Sequence, residues 1–347
     1  MLRAIRFAVR CGFELAADLL AAATSREVHE ALLSKVSRER VGKELEGMLT
    51  GKNAKPGKAL EMIWSFGMQN VVFSFPEPPL SGRVVTFVDD DNSSNCSEKP
   101  EGPSLDNIYN GWKKSRQAIS LITDLSNVVE NSYLIRAPEK STSAIVDYRL
   151  LHLCICLLPF RRLTYLDSKK KVQSVISYVI GQSLKYKKVD VANVALIIDL
   201  CTTMAKIIQN YHRQSKFPNR LEIGLLLRKL KSNWTTCLAT SVIYCSLQND
   251  TKMHQEIFRV YGVILDEICV NLDLDECWRR PPLLNGNQIS KLLGLKNGPK
   301  VGYYIKEQIN WMLLNPHGSK EECAQYICKI YDEDHHATKR TASQASL

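Results

Sequence analysis

Three arginines open the chain at a spacing that suits phosphate binding. Arg3, Arg6 and Arg10 occupy positions i, i+3 and i+7, so on a helix they share one face. An apolar stripe recurs beside them at helical spacing and consists of Leu2, Ile5, Val9 and Phe13. This pattern predicts an amphipathic helix. Because no acidic residue occurs in the first 13 positions, the guanidinium groups are available for bidentate hydrogen bonds to phosphate.

Two simpler interpretations apply to the same segment. An arginine-rich, acid-poor amphipathic start is also typical of a mitochondrial presequence. A row of arginines is, in addition, often no more than the solvated face of a helix. The specific order of the residues, together with the segments that follow it, favours the phosphate-binding helix over both.

The composition is that of a globular protein with a basic surface. The 347 residues suffice for two or three units of ordinary domain size, with 45% hydrophobic and 24% charged residues. The formal net charge of +10 favours a polyanionic partner. The longest apolar run, residues 150–160, is interrupted by His152 and ended by Pro159, so it predicts a buried core helix and no membrane span.

The eleven cysteines predict reduced thiols and not a disulfide scaffold. They are scattered and odd in number, and no Cys-x-x-Cys pair occurs. This usage indicates an intracellular protein, and it does not distinguish nucleus, cytoplasm, mitochondrion and plastid. Zinc-ligand spacing is also missing from the sequence, so we predict no metal site in this chain.

The hydrophobic periodicity is helical almost throughout and predicts an all-α fold. The sequence shows no alternation of strands with helices and no repeat of fixed period. Residues 1–23 are predicted as a first helix with a weak point at Gly12, and residues 169–185 as a helix in the middle of the chain. Residues 74–106 are rich in proline and predict a linker, in which residues 83–88 are the candidate for a short strand.

Several motifs resemble a known family. At the start these are Leu2-Arg3-Ala4-Ile5-Arg6-Phe7, and then Ser37-Arg38-Glu39-Arg40 followed by Glu44-Leu45. Residues 150–171 and 219–234 continue the likeness in the middle of the chain, and residues 281–318 near its end. Segments in this order resemble the class II CCA-adding enzymes, which are tRNA nucleotidyltransferases of the poly(A) polymerase-like superfamily, and specifically their eukaryotic type.

The resemblance implies an elongated helical array of neck, body and tail. It assigns residues 1–73 to the neck, a remnant of the nucleotide-binding helices, and residues 74–106 to a linker or variable insertion. Residues 107–271 would form the helical body, and residues 272–347 the tail with a flexible C-terminus. In this family a catalytic head domain precedes the neck, and the resemblance places that head upstream of Met1.

The resemblance also implies that the family's catalytic parts belong to the head. The head supplies a glycine-rich loop, an Arg-Arg-Asp motif and an Asp-x-Asp pair that holds Mg²⁺ with CTP or ATP. Asp273 and Asp275 do form an Asp-x-Asp here, but without a preceding glycine-serine loop they predict a turn. We therefore assign no catalytic residue, no metal ligand and no cofactor to this chain.

Candidate site residues follow from the family motifs and from the charge pattern. Arg3 and Arg6 match the nucleotide-binding motif of the neck. The Ser-x-Glu-Arg motif supplies a set that braces the neck, namely Ser37, Glu39, Arg40 and Glu44. A basic cluster predicts phosphate binding. It comprises Arg161, Arg162, Lys169, Lys170, Lys171, Lys185, Lys187 and Lys188. An ordinary solvated surface explains any single lysine of this cluster equally well.

A second candidate RNA contact lies near the end of the chain. Gly298 precedes Pro299, which suits the first position of a helix, and Lys300 follows. Free amides at such a helix start can bind a phosphate, and glycine lets that phosphate approach closely. A plain helix–turn–helix corner explains the same residues.

These features predict the tRNA-binding portion of a CCA-adding tRNA nucleotidyltransferase that is inactive by itself. Addition of CCA to tRNA 3′ ends, a step of tRNA processing, would require the head domain, in the same polypeptide or in trans. Apolar neck residues that normally face the head would favour self-association of this chain. The alternative is an α-helical protein-interaction module derived from the same scaffold.

Overall fold

The computed structural model describes residues 1–84, 103–136, 145–249, 253–296 and 298–344, the side chains of 128–136 and 335–344 excepted. The chain divides into two compact units. Unit 1 comprises Met1–Lys216 and Ser232–Leu265, and unit 2 comprises Phe217–Lys231 and Asp266–Leu347. Most of the predicted linker, residues 85–102, lies outside the described residues.

Six short helices begin unit 1. They are α1 (Leu2–Cys11), α2 (Ala17–Thr24), α3 (Arg26–Ser34), α4 (Arg38–Leu49), α5 (Pro56–Ser65) and α6 (Gln69–Val72). The apolar stripe of α1 is buried and packs against α4 and α5, but Phe13 lies beyond the helix and is exposed. The single helix predicted over residues 1–23 is wrong, because Gly12 adopts a left-handed conformation with φ of 75° and ends α1.

Longer helices supply the interior of unit 1. In chain order they are α7 (Leu105–Arg136), α8 (Tyr148–Leu157), α10 (Lys188–Gln214), α12 (Trp234–Ser246) and α13 (His254–Asp266). The short helix α9 (Val175–Tyr178) precedes α10, and α11 (Arg220–Leu230) belongs to unit 2. Short 3-10 segments are found at Leu158–Phe160 and Lys231–Asn233, and π-helical segments at Val179–Ser183 and Glu267–Asn271.

Small polar side chains let α10 and α12 pack closely. Cys237, Ser241 and Cys245 donate to the backbone carbonyls of residues 197, 201 and 205, at 3.7, 3.0 and 3.7 Å. Both series advance by four residues, so one face of each helix contributes to a continuous ladder. The ten cysteines in the described residues are all free, and burial raises the pKa of the Cys237 thiol.

Within the described residues, one helix is long and apolar enough to cross a membrane by length and composition, namely α10. It packs against α8, α9 and α12. Its buried face includes Ile197, Cys201 and Met204, which all lie in the interior of unit 1. The packing therefore accounts for the apolar sequence of α10 as that of a core helix.

A small antiparallel sheet interrupts the helical fold. Its strands are β1 (Leu80–Ser81), β2 (Thr164–Leu166) and β3 (Val172–Ser174), in the order β1-β2-β3. Strands β2 and β3 form a hairpin in which Thr164 lies opposite Ser174 and Leu166 opposite Val172. The strand predicted at residues 83–88 is absent at its two described residues, Arg83 and Val84.

The hairpin overturns the helix predicted over residues 169–185. Helical structure begins only at Val175, because residues 167–171 form the turn between β2 and β3. The side chain of Asp167 accepts hydrogen bonds from the backbone N–H groups of Lys169 and Lys171, each at 2.9 Å. An aspartate that satisfies turn amides in this way competes with helix formation.

Unit 2 is helical and has its own core. After α11 it contains α14 (Gly286–Leu293), α15 (Pro299–Leu314) and α16 (Lys320–Gln344). One hydrophobic cluster in this core consists of Leu284, Ile289, Leu293, Val301, Tyr304, Cys323 and Ile327. Gln308 is fully buried and holds both backbone groups of Leu284, accepting from its N–H at 2.8 Å and donating to its carbonyl at 2.7 Å. The predicted all-α class is confirmed, with the small sheet as the exception.

His152 gives unit 1 a pH-dependent stability. It lies in the buried helix α8, its Nδ1 is 2.6 Å from the carbonyl oxygen of Tyr148, and burial lowers its pKa from 6.5 to about 4. Below pH 6.5 His152 is protonated in the unfolded chain but stays neutral in the folded chain, so the unfolding free energy falls as the pH drops towards 4. From about pH 7.5 to about pH 5 this residue should cost about 2 kcal/mol of unfolding free energy.

The measurement is urea unfolding of the chain and of His152→Leu at several pH values. The difference in unfolding free energy between the two proteins should change by about 2 kcal/mol between pH 7.5 and pH 5. His317 is exposed, so the control His317→Leu should show the same pH dependence of stability as the unmodified chain. A pH-independent difference for His152→Leu would contradict the assignment.

Candidate nucleic-acid interface

The turn of the β2–β3 hairpin presents three consecutive lysines. Lys169, Lys170 and Lys171 are all exposed, and Lys170 has a positive φ of 57° that the turn imposes. No carboxylate lies within ion-pair distance of their ammonium groups among the residues that the structure describes. The three charges therefore project together into solvent, where they are available to a polyanion.

Asp167 makes this turn rigid. Besides the two side-chain bonds to the lysine amides, its backbone carbonyl accepts from the N–H of Lys170 at 2.8 Å, and its Oδ2 accepts from Gln173 at 3.2 Å. Backbone hydrogen bonds, first that of Lys171, lower the pKa of the Asp167 carboxyl. The one acidic residue of the segment therefore acts on the backbone of the turn.

Two further groups of the predicted cluster have different surroundings. Lys185, Lys187 and Lys188 are exposed between the π-helical segment and α10, and Lys185 Nζ donates to Gln182 at 3.0 Å. Arg161 is partly buried, and its guanidinium carbon lies 5.3 Å from the ring centroid of Tyr244. The lysines are thus surface charges, whereas Arg161 also packs against the interior.

Two clefts adjoin the hairpin. One, with a volume of about 620 Å³, is lined by Arg161, Arg162 and Ser174 and by α10 residues that include Asp199. The other, of about 850 Å³, is lined by Tyr165 and Gln173 of the hairpin and by Lys185. Basic, acidic and hydrogen-bonding groups therefore line the two clefts beside the hairpin.

The arginines of α1 are held against α4. Arg6 forms an ion pair with Glu44 through Nε and Oε2 at 2.8 Å. Arg10 donates to the carbonyl oxygens of Gly47 and Thr50, at 2.5 and 2.7 Å. Arg3 is exposed. Of the two predicted nucleotide-binding residues, Arg3 thus points to solvent and Arg6 is occupied by a carboxylate.

The predicted bracing set divides in the same way. Glu44 joins α4 to α1 through Arg6, whereas Ser37, Glu39 and Arg40 are exposed at the start of α4. Ser37 is the N-cap residue by position, but its side chain makes no capping bond. A hydrogen bond from its own backbone N–H lowers the pKa of Glu39.

The main brace at this point is Arg38, which the sequence analysis did not select. Its guanidinium donates to the carbonyls of Val71 and Val72 at 2.9 and 2.7 Å, and to the carbonyl and hydroxyl of Ser183 at 2.7 Å each. Burial lowers the pKa of Arg38. The sequence did contain a signal for this role. Arg38 is a cation in the first turn of α4, where the helix macrodipole is unfavourable to positive charge, so a compensating acceptor is expected elsewhere.

A second unpredicted brace is Arg149. It forms ion pairs with Glu46 of α4, at 3.3 Å, and with Asp190 of α10. Its guanidinium carbon also lies 5.6 Å from the ring centroid of Tyr186. These residues are far apart in the sequence, and no local pattern links them.

In unit 2, Gly298 is the N-cap residue of α15 and Pro299 is its first residue, as predicted. The backbone of Gly298 is extended, with φ of 164°, and a Cβ added there would meet nothing within 4 Å. Gly298 and Lys300 are both exposed. The helix start is therefore open to a phosphate, but its geometry does not itself require glycine.

The described residues do not fit a two-metal catalytic site. They contain no group of three or more His, Cys, Asp or Glu side chains placed to hold a metal ion. Asp275 of the Asp-x-Asp begins a turn, and the carboxylate of Asp273 pairs with Arg280 at 2.9 Å. We therefore derive no metal-dependent step from this chain.

The chain is similar in sequence to CCA tRNA nucleotidyltransferases. No family model matches the chain. The mitochondrial CCA tRNA nucleotidyltransferase of Saccharomyces cerevisiae is 28% identical over 337 residues, which is 95% of this chain and 59% of that protein. The tRNA nucleotidyltransferase cca2 of Schizosaccharomyces pombe is 27% identical over 327 residues, or 94% of this chain and 59% of that protein.

The chain is thus a homologue of the CCA tRNA nucleotidyltransferases, and the resemblance stated from its motifs is confirmed. It spans about 59% of the length of these two relatives. Among solved structures, the apo form I of a CCA-adding enzyme matches 94% of this chain and 57% of its own, with 15% identity and a TM-score of 0.46.

Proposed function

We propose that this chain is the neck, body and tail portion of a CCA-adding tRNA nucleotidyltransferase and that it binds tRNA. The relatives are named for action on tRNA, and the present chain corresponds to part of their length. The observation that carries the proposal is the rigid hairpin turn with three exposed, unpaired lysines. We further propose an intracellular location, which two mitochondrial relatives support.

The lysine turn acts through phosphates and not through bases. A lysine ammonium is a strongly hydrated point charge that neutralises a phosphate without the fixed fork needed to read a base edge. Each phosphate that is neutralised releases condensed counterions, so the affinity falls as salt rises. The neighbouring Lys185, Lys187 and Lys188 extend the same positive surface.

The test is charge reversal of the turn in the triple variant Lys169→Glu, Lys170→Glu and Lys171→Glu. Binding of tRNA should weaken at least about tenfold at moderate salt, and the slope of log K against log salt should become shallower by about 2–3, since three contacts are lost. The measurement is filter binding across a salt series, with a single-stranded RNA of equal length for comparison.

A matched control reverses three other exposed lysines, Lys52, Lys55 and Lys58, which changes the net charge equally. The proposal requires this control to bind tRNA much more strongly than the turn variant. Equal affinity for tRNA and single-stranded RNA, or equal loss in both variants, would remove the assigned role of the turn.

Gly298→Val tests the helix start of α15 in the same assay. The added side chain has free space and the extended backbone accepts it, so the fold should persist. It would block the approach of one phosphate while leaving the charge unchanged, so affinity should fall about threefold to tenfold with little change in salt slope. Unchanged affinity would make this a plain corner between α14 and α15.

We propose in addition that residues 1–347 alone do not transfer nucleotides. Nucleotidyl transfer needs paired carboxylates that hold metal ions, and the described residues provide no such group. The purified chain should therefore add no CMP or AMP to a tRNA that lacks its CCA end, assayed with radiolabelled CTP and ATP and Mg²⁺. Incorporation that disappears in the Asp273→Asn, Asp275→Asn variant would contradict this proposal.

The alternative, a protein-interaction module, is supported by exposed apolar side chains on or next to α1, α2 and α3. They are Phe7, Phe13, Leu19, Leu20 and Leu33. Such a surface also fits a head domain supplied in trans or self-association of the chain. Under this alternative, neither the lysine turn nor Gly298 affects tRNA binding, so the filter-binding series separates the two functions.

A further inference from the structure

Unit 2 contains a cavity of about 470 Å³ whose wall combines arginines with apolar residues. Arg220 and Arg228 of α11 line it, together with Arg280. The remaining wall includes Pro282 and Met312. The volume is within the range typical of small-ligand sites. The cavity is a separate feature from the basic surface of unit 1, and its residues are not among those assigned to RNA above.

Two of these guanidinium groups are fixed by backbone carbonyls. Arg220 donates from Nε to Leu313 at 2.5 Å and from one terminal nitrogen to Leu272. Arg228 donates from the corresponding nitrogen to Cys277 and Arg280, at 2.6 and 3.1 Å. In each case the second terminal nitrogen donates to no carbonyl within the described residues. The two guanidinium groups are therefore held in place, and each keeps N–H donors that can bind a ligand.

The charge of the cavity is not balanced by the protein. Arg280 pairs with Asp273, but neither Arg220 nor Arg228 has a carboxylate within ion-pair distance in the described part of the chain. Both arginines are partly buried, so water compensates their charge only in part. Two fixed positive charges beside an apolar wall favour occupancy by an anion that has an apolar body.

We propose that this cavity binds a small phosphate monoester with an apolar or planar body. A phosphate monoester carries close to two negative charges at neutral pH, which matches the summed charge of Arg220 and Arg228, and its oxygens accept hydrogen bonds from guanidinium nitrogens. A carboxylate or a phosphodiester offers one charge. The body of the ligand would lie against Pro282 and Met312.

The first experiment follows the thermal unfolding midpoint of the full chain at constant ionic strength. The probes are inorganic phosphate, phenyl phosphate and dimethyl phosphate, with sodium chloride as the reference. At about ten times Kd, phenyl phosphate should raise the midpoint by about 3 °C. Inorganic phosphate should act at higher concentration, and dimethyl phosphate, which imitates an RNA backbone link, should resemble chloride. An equal response to the diester would point to RNA phosphates, and no response to any probe would overturn the proposal.

Two variants locate the effect. Arg228→Gln retains an amide donor for the carbonyls but removes the charge, so phenyl phosphate should bind at least about tenfold more weakly. Met312→Glu places a carboxylate inside the cavity and should both abolish the phosphate response and raise the unfolding midpoint above that of Met312→Gln. Unchanged affinity in Arg228→Gln, or a lower midpoint for the glutamate variant than for the glutamine variant, would overturn the proposal. The lysine-turn variant should keep full binding, which separates this site from tRNA binding.

Discussion

Gly42→Ala is expected to destabilise unit 1 by about 3 kcal/mol or more. Gly42 is buried in the middle of α4, where glycine is otherwise a poor helix former. A Cβ at this position would overlap the carbonyl oxygen of Leu184 and lie 3.0 Å from its carbonyl carbon. Because the obstacle is backbone, no side-chain rotation relieves the overlap, and α4 must move away.

The movement would also disturb contacts on the same side of α4. The hydroxyl of Tyr186 donates to the carbonyl of Gly42 at 3.4 Å, and Arg38 binds Ser183 just before Leu184. The measurement is urea unfolding followed by circular dichroism. Gly57→Ala is the matched control, since Gly57 lies in α5 with nothing within 4 Å of an added Cβ. That change should be neutral or stabilise by up to about 1 kcal/mol. Similar losses in both variants would show that the contact with Leu184 is not decisive.

Arg38→Met should cost about 3 kcal/mol of unfolding free energy, the second large effect. The substitution keeps an apolar stem of similar length but removes the hydrogen bonds that the Arg38 guanidinium donates to Val71, Val72 and Ser183. Hydrogen bonds from a charged donor contribute more than neutral ones, and the carbonyls left behind are partly desolvated. The effect should be seen as a lower urea midpoint with an unchanged slope.

The neighbouring Arg40 provides the control for Arg38. Both arginines belong to the Ser-x-Glu-Arg motif, but Arg40 is exposed, so Arg40→Met should change the unfolding free energy by no more than about 0.5 kcal/mol. The opposite order of effects would restore the bracing role that the motif assigned to Arg40. It would also show that Arg38 is satisfied by water as well as by the carbonyls.

Local sequence signals indicated one helix start correctly and underestimated one helix end. Pro299 stands at the first position of α15, as predicted, because the missing N–H costs nothing there. Gly12 ends α1 because glycine adopts the left-handed conformation without strain. The signals failed where a side chain competes with the helix, as Asp167 does in the hairpin turn. Asp190 lies in the first turn of α10 and pairs with Arg149, a contact that no local pattern predicts.

The sequence by itself determined the helical class, the basic character and the family, because these depend on periodicity, composition and residue order. It also located the lysines at 169–171, although not the hairpin that presents them. Only the tertiary structure decided which charges are free. Arg6 and Arg38 are bound to groups tens of residues away, whereas Arg3 and Arg40 face solvent. Arg220 and Arg228 likewise bind carbonyls that lie 49 to 93 residues away in the sequence. The physical reason is that a guanidinium is satisfied by whichever acceptors the folded chain brings within about 3 Å, and sequence spacing does not record those distances.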